Sequence, residues 1–277
     1  MTRWAAVGAM TWCLALAAGA RAGGPEVKLI PGVQVEFEVP SAPPSLADMK
    51  RQSGALHAKM AVKLPAHYQA GRSYPVLVFL SGGDGGTGGE LHQAEPFLGS
   101  ADYILVNLPL FKNDVEGENY DQQVVVTPFD APRAVSAFRA MLDELRRLIP
   151  NLDESRSVLA GFSNGAYGVA LILWSGDQDL ISRFGSFVMI EGGFWLTSDR
   201  IDVWPDRRFQ PAAWSVLQGR RVLVMYGDQT QPPDRIPWIK DAVKTVEDLR
   251  KAGVNAAAMP MANVGHDFPV QEMDRAR

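Results

Sequence analysis

Two short stretches carry the residues able to do covalent chemistry together. In "GFSNG", Gly161 to Gly165, a serine stands two residues from a glycine on either side, and apolar runs flank the pentapeptide. Those runs predict a buried strand over Ser157 to Ala160 and a helix from Asn164 to about Trp174, joined by a very tight turn. A serine on such a turn presents its hydroxyl at the tip, and the glycines let neighbouring backbone pass without Cβ clashes. This G-x-S-x-G pattern places Ser163 as a nucleophile, which needs a base to take its proton. Of His57, His67, His92 and His266, only His266 follows the serine, in the loop "NVGHDFP" after the last apolar run. The chain order serine, acid, histidine makes His266 the candidate base.

The same order looks for the acid after "RVLVMYG". The segment "GDQTQPPDRIPW" offers Asp228 and Asp234. Asp234 stands just before the Ile236-Pro237 start of a helix and is the favoured residue, with Asp228 as the alternative. Its carboxylate would hold the imidazole tautomer and offset the imidazolium charge. Asp267 is only a sequence neighbour of the histidine. An oxyanion needs two N–H donors aimed at one point. Asn164 N–H is one, and Gly83 or Asp84 in "SGGDGGTGGE" would supply the other.

That glycine-rich loop also matches G-x-G-x-x-G over Gly83 to Gly88, with Asp102 further on as a ribose contact. Three features argue against a nucleotide there. Asp102 begins the next strand instead of ending it, the intervening helix (about Gly89 to Leu98) is short, and two strands precede the motif. No G-K-[ST] follows, which excludes a P-loop.

The elements that must position these residues read along the chain as follows. "GVQVEFEVP" and "ALHAKMAVKLP" alternate as strands, and "YPVLVFL" (Tyr74 to Leu80) and "DYILVNLPL" are continuous apolar runs of the doubly buried kind. Pro128 to Ile149 has helical spacing and stops at Pro150-Asn151. After the serine come the strands "GSFVMIEGG" and "RRVLVMYGD", a helix from about Pro237 to Lys251, and "NAAAMPMA". Strands alternating with helices predict an α/β fold with a mostly parallel central sheet and helices on both faces.

Serine turn, glycine-rich loop, late histidine and element order together resemble the α/β-hydrolase superfamily, over roughly Val33 to Pro269. "GFSNGA" with "VLVFLSGG" is similar to secreted esterases related to polyhydroxybutyrate depolymerases and to feruloyl or acetylxylan esterases. The resemblance implies an α/β-hydrolase fold and cleavage of a small-molecule or polymer ester through an acyl-enzyme, with no cofactor. The chain departs from those esterases in lacking cysteine pairs, in the displaced acid and in a short tail after His266. Nothing in the sequence separates ester from peptide cleavage. A non-catalytic binding module on the same fold is the reading from another class.

Composition sets the compartment and narrows the partners. The chain has 277 residues, 47% of them hydrophobic and 21% charged, with a formal net charge of −4. Met1-Thr2-Arg3, the apolar run Trp4 to Gly19 and Ala20-Arg21-Ala22 read as a signal peptide over residues 1–22. Residues 23–277 then form a single domain in the secreted or periplasmic space, with no stable membrane insertion after cleavage. The single cysteine, Cys13, falls in the leader, which leaves the mature domain without disulfides or thiolate metal sites. An acidic balance argues against nucleic acid as a partner. Asp177, Asp179 and Glu191 lack metal-ligand spacing. A cap segment is expected near residues 191–214, where Trp195 and Trp204 could stack on substrate or simply fill space under the cap.

Overall fold

Alternating side chains in "QVEFEV" and "AKMAVK" make the first two strands, β1 (Gln34–Val39) and β2 (Ala58–Lys63), an antiparallel pair with Phe37 opposite Met60. The chain is described here by a computed structural model covering residues 27–42, 58–83, 91–98, 102–110, 131–193, 214–229 and 236–267. The expected leader and nearly all of the expected cap lie outside the described residues.

The continuous apolar runs become the parallel strands. These are β3 (Val76–Leu80), β4 (Ile104–Asn107), β5 (Val158–Phe162), β6 (Ser186–Ile190), β7 (Arg221–Gly227) and β8 (Asn255–Met261). They form one sheet in the order β1-β2-β4-β3-β5-β6-β7-β8, antiparallel only at the β1–β2 and β2–β4 pairings. β3 starts later than its apolar run because Pro75 has no N–H for the ladder. Tyr74 makes only an isolated bridge to Leu152.

Alternate residues of each strand feed cores on opposite faces of the sheet. Val76, Val78 and Leu80 point into one core with helices α2 (Ala131–Leu148), α3 (Asn164–Ser175) and α5 (Ile236–Lys251). Leu77 and Phe79 point into the other, with Ala94 and Phe97 of the short helix α1 (Ala94–Leu98). Each fully buried Leu or Phe contributes about 1.5–3 kcal/mol relative to exposure. α2 is amphipathic: Ala134, Phe138, Met141, Leu142 and Leu145 are buried at three- and four-residue spacing. Its last turn carries Arg146 and Arg147, which complement the helix dipole. α3 differs, with every residue from Gly165 to Leu173 buried. The helix that carries the serine is therefore held by packing on all sides.

A one-turn helix, α4 (Gln178–Ser182), follows, with the Asp177 side chain accepting the Leu180 N–H at 2.9 Å. It is too short to leave a periodic signal in the sequence. Next to it Arg183, 5% exposed, reaches Asp143 at 2.8 Å and Asp179 at 2.6 Å, and ties α2 to α4 where β6 begins. The candidate chemistry gathers at the opposite end, where the parallel strands finish.

Candidate active site

β5 runs directly into Ser163, whose backbone sits at φ 52°, ψ −117°, a sparsely populated region for a residue with a Cβ. Such a conformation costs on the order of 1–3 kcal/mol and persists because the surroundings impose it. The Ser163 N–H donates to Ile190 O at 2.8 Å, and its carbonyl accepts the Ala166 N–H at 3.0 Å as the helix begins. Close approach explains the glycines. A Cβ on Gly161 would strike the Gly165 carbonyl, and one on Gly165 would strike the Leu80 carbonyl at the end of β3.

His266 arrives from the loop after β8 and meets the serine, with Nε2 2.9 Å from Ser163 Oγ. Its ring stacks on Phe162 with centroids 5.2 Å apart and planes inclined by 29°. The imidazole side chain is 26% exposed. On its far side, Nδ1 lies 3.1 Å from Oε2 of Glu191, whose side chain is only 7% exposed. An ionised carboxylate can only accept, so Nδ1 carries the proton and Nε2 is left to accept from the serine hydroxyl. The second carboxylate oxygen, Oε1, accepts the N–H of Gly227. A buried carboxylate is costly unless its lone pairs are occupied, and here both oxygens are.

Among the described residues the carboxylate beside the histidine is Glu191 and not Asp228, the alternative acid expected after β7. The Asp228 carboxylate is engaged by the loop backbone: its Oδ1 accepts the Asn263 N–H at 2.6 Å. The reason is local, since the backbone of Asp228 is already bound along β8 through its N–H to Met261 O at 3.1 Å. Asp234 lies outside the described residues. The position beside Nδ1 belongs to Glu191, the residue that follows β6. The sequence does carry a signal for it: a carboxylate closing the apolar strand "SFVMI" must find a buried partner, and it also satisfies the order serine, acid, histidine. Asp267 makes a backbone bond to Gly265 O at 3.0 Å.

Around the serine, the Asn164 N–H belongs to the first turn of α3, where no preceding carbonyl of the helix can reach it. The Asn164 side chain donates from Nδ2 to Gly83 O at 2.6 Å, which joins the serine turn to the loop after β3. Gly83 adopts φ +62°. Asp84, Trp195 and Trp204 lie outside the described residues. Among the described residues no group of His, Cys, Asp and Glu is arranged to hold a metal, and no helix is long and apolar enough to cross a membrane.

Comparison with known proteins gives the fold. No family model matches the chain, and no curated protein matches its sequence. Among solved structures it is similar to a thermophilic esterase from the planctomycete Thermogutta terrifontis, with a TM-score of 0.53 and 14% identity over 83% of this chain and 85% of that one. It is also similar to a thermostable esterase (TM-score 0.51, 15% identity, 87% and 60% covered) and to the acylaminoacyl peptidase of Pyrococcus horikoshii (TM-score 0.55, 16% identity, 88% and 40% covered). The chain therefore spans 60% and 40% of the length of those last two proteins. The fold is that of the α/β-hydrolases, on which esterases and peptidases are both built.

Proposed function

We propose that the protein is an exported serine hydrolase that cleaves carboxylic esters, with Ser163 as nucleophile, His266 as general base and Glu191 as the acid that orients it. The observation that carries this reading is the continuous chain Ser163 Oγ, His266 Nε2, His266 Nδ1, Glu191 Oε2, with steps of 2.9 and 3.1 Å. A binding module that had merely kept the fold would have no use for a strained serine aligned on a histidine and a buried carboxylate.

In this mechanism His266 Nε2 takes the hydroxyl proton as Ser163 Oγ attacks the ester carbonyl. Glu191 stabilises the imidazolium without itself becoming protonated. Negative charge gathers on the former carbonyl oxygen, where Asn164 N–H and a donor from the loop after β3 (Gly83 or Asp84) stabilise it. The imidazolium then protonates the departing alkoxide and leaves an acyl-serine. Water, deprotonated by the same imidazole, hydrolyses that acyl group and restores the serine.

Carbohydrate-linked or polyester substrates fit the motif resemblance, with Trp195 and Trp204 as stacking faces. The likeness to an acylaminoacyl peptidase supports a second reading, cleavage of an amide by the same machinery. Labelling with a fluorophosphonate probe, followed by short-chain ester and matching amide panels, tests both. Labelling of the parent, none of Ser163→Ala, and ester turnover above amide turnover are expected. Labelling that survives in Ser163→Ala would remove the nucleophile assignment, and faster amide turnover would replace the esterase reading with the peptidase one. Export predicts a mature N-terminus at Gly23, and intact-mass measurement of protein from the culture medium or periplasm reads it directly.

A further inference from the structure

β4 ends on a residue that its surroundings do not favour. Asn107 is 0% exposed and sits opposite Phe79 on one side and Ala61 on the other, both also fully buried. Its Nδ2 donates to Phe79 O and to Ser81 Oγ, each at 3.0 Å. Its Oδ1 is buried and has no hydrogen-bond partner among the described residues. Turning the amide over would set Oδ1 against the Phe79 carbonyl oxygen, so the two donated bonds fix the amide in this orientation. A buried acceptor without a donor lowers stability, and an apolar side chain of similar volume would remove that cost while leaving Phe79 O and Ser81 Oγ without this donor.

What the amide reaches is the loop that leads to the oxyanion site. Ser81 is 6% exposed and is the first residue after β3, followed by Gly82 and Gly83. Two consecutive glycines leave that backbone with more freedom than any other pair of residues. Asn107 Nδ2 grips one end of the stretch at Ser81, and Asn164 Nδ2 grips the other at Gly83 O. Between them a Cβ on Gly82 would stand 3.2 Å from the Ser163 Cβ, so the loop lies against the nucleophile.

We infer that Asn107 is a positioning residue for the reaction: acting through Ser81, it fixes the loop after β3 where its N–H can meet the oxyanion. This rests on the proposed serine hydrolase activity. A positioning role has its signature in kcat set against KM. Asn107→Leu removes the orphan acceptor but leaves Phe79 O and Ser81 Oγ without this donor, opposing effects on stability, so thermal unfolding serves only to establish that the variant folds. A small misplacement of a transition-state donor is felt in turnover, so kcat on a short-chain ester should fall about 10–100-fold while KM stays within about twofold. Ser81→Ala breaks the same tether and should give a similar loss in kcat. The double variant should be no worse than the more damaged single one, because both cut one connection.

The experiment is steady-state kinetics and thermal unfolding of parent, Asn107→Leu, Ser81→Ala, the double variant and Ser163→Ala. An active parent, an inactive Ser163→Ala and an Asn107→Leu with parental kcat would overturn the positioning role and leave the hydrolase reading standing. A parent that neither turns over esters nor takes the fluorophosphonate label would remove both. Should Asn107→Leu fail to fold, Ser81→Ala decides: a folded protein with reduced kcat and parental KM supports the tether, and parental kcat rejects it.

Discussion

β6 and β7 lie side by side, end at the same edge of the sheet and are each closed by an acid, yet the two carboxylates have different work. β6 runs into Glu191, whose backbone is turned to φ 51° and whose N–H donates to Met225 O of β7 at 2.9 Å. That turn sends the side chain across the end of β7 and beneath the histidine, where it is buried. β7 runs into Gly227 and Asp228, where the neighbouring strand β8 and its following loop take up the backbone: Asp228 N–H to Met261 O, Gln229 N–H to Val264 O. The Asp228 carboxylate is turned to the loop's own backbone at Asn263. A carboxylate at the end of a parallel strand is thus not defined by its strand number. It is defined by whether the next strand leaves room for it to reach the imidazole, and by whether burial removes every other partner.

Substitutions at three positions separate the two strand ends. The largest effect is expected for Glu191→Gln. A glutamine can still accept the Gly227 N–H with Oε1, so the fold should survive. It would then present an amide N–H to Nδ1 and favour the tautomer that cannot accept the serine proton. The loss in kcat should be about 10⁴-fold, as when the buried acid of a serine triad becomes an amide. Kinetics of Glu191→Gln beside Asp234→Asn checks it: a loss that falls on Asp234→Asn alone would return the acid to the loop after β7.

A smaller effect is expected at Gly227, where the two strand ends touch. Its N–H donates to Glu191, and a Cβ there would strike the carbonyls of Val264 and Gly265, immediately before His266. Gly227→Val should push the histidine loop outward, lower the unfolding temperature and reduce kcat by about 10²-fold, the usual scale for a misplacement near 1 Å. A variant with parental kcat would mean that the loop over Gly227 does not hold the histidine in place.

Most of the fold was legible in the sequence because it depends on periodicity. Continuous apolar runs gave β3, β5, β6 and β7, three- and four-residue spacing gave α2, and Pro150-Asn151 marks its end. Ser163 and His266 were legible for different reasons: the serine belongs to a local pattern, G-x-S-x-G, and of the histidines considered only His266 follows it in the chain. Glu191 belongs to no such pattern. Its role arises from a bond across 75 positions to His266, and from the positive φ that only the folded sheet imposes. Beside it, Asp228 and Asp234 stood where the usual chain order looks first. Asn107 was hidden in the same way, one polar letter in "ILVN" whose purpose depends on the strand lying next to it.

The smallest effect, and the sharpest test of the contrast, is expected at Asp228. Its Oδ1 accepts the N–H of Asn263, which adopts the left-handed φ of 60° in the turn that leads to the histidine. If this carboxylate serves only as an acceptor, charge is irrelevant to it. Asp228→Asn keeps an amide oxygen in the same place and should leave kcat within about threefold of the parent, since an exposed carboxylate contributes little field through solvent. Asp228→Ala removes the acceptor and frees the turn, so it should cost about 0.5–1.5 kcal/mol of stability, the net worth of one hydrogen bond, with a several-fold loss in kcat. The order parent, Asn, Ala thus differs from what a triad acid gives, where the amide is already disabling. Kinetics and denaturant unfolding of the two variants decide it. A 10⁴-fold loss in Asp228→Asn would show that the carboxylate's charge acts on the imidazole after all, and the distinction between the two strand ends would collapse.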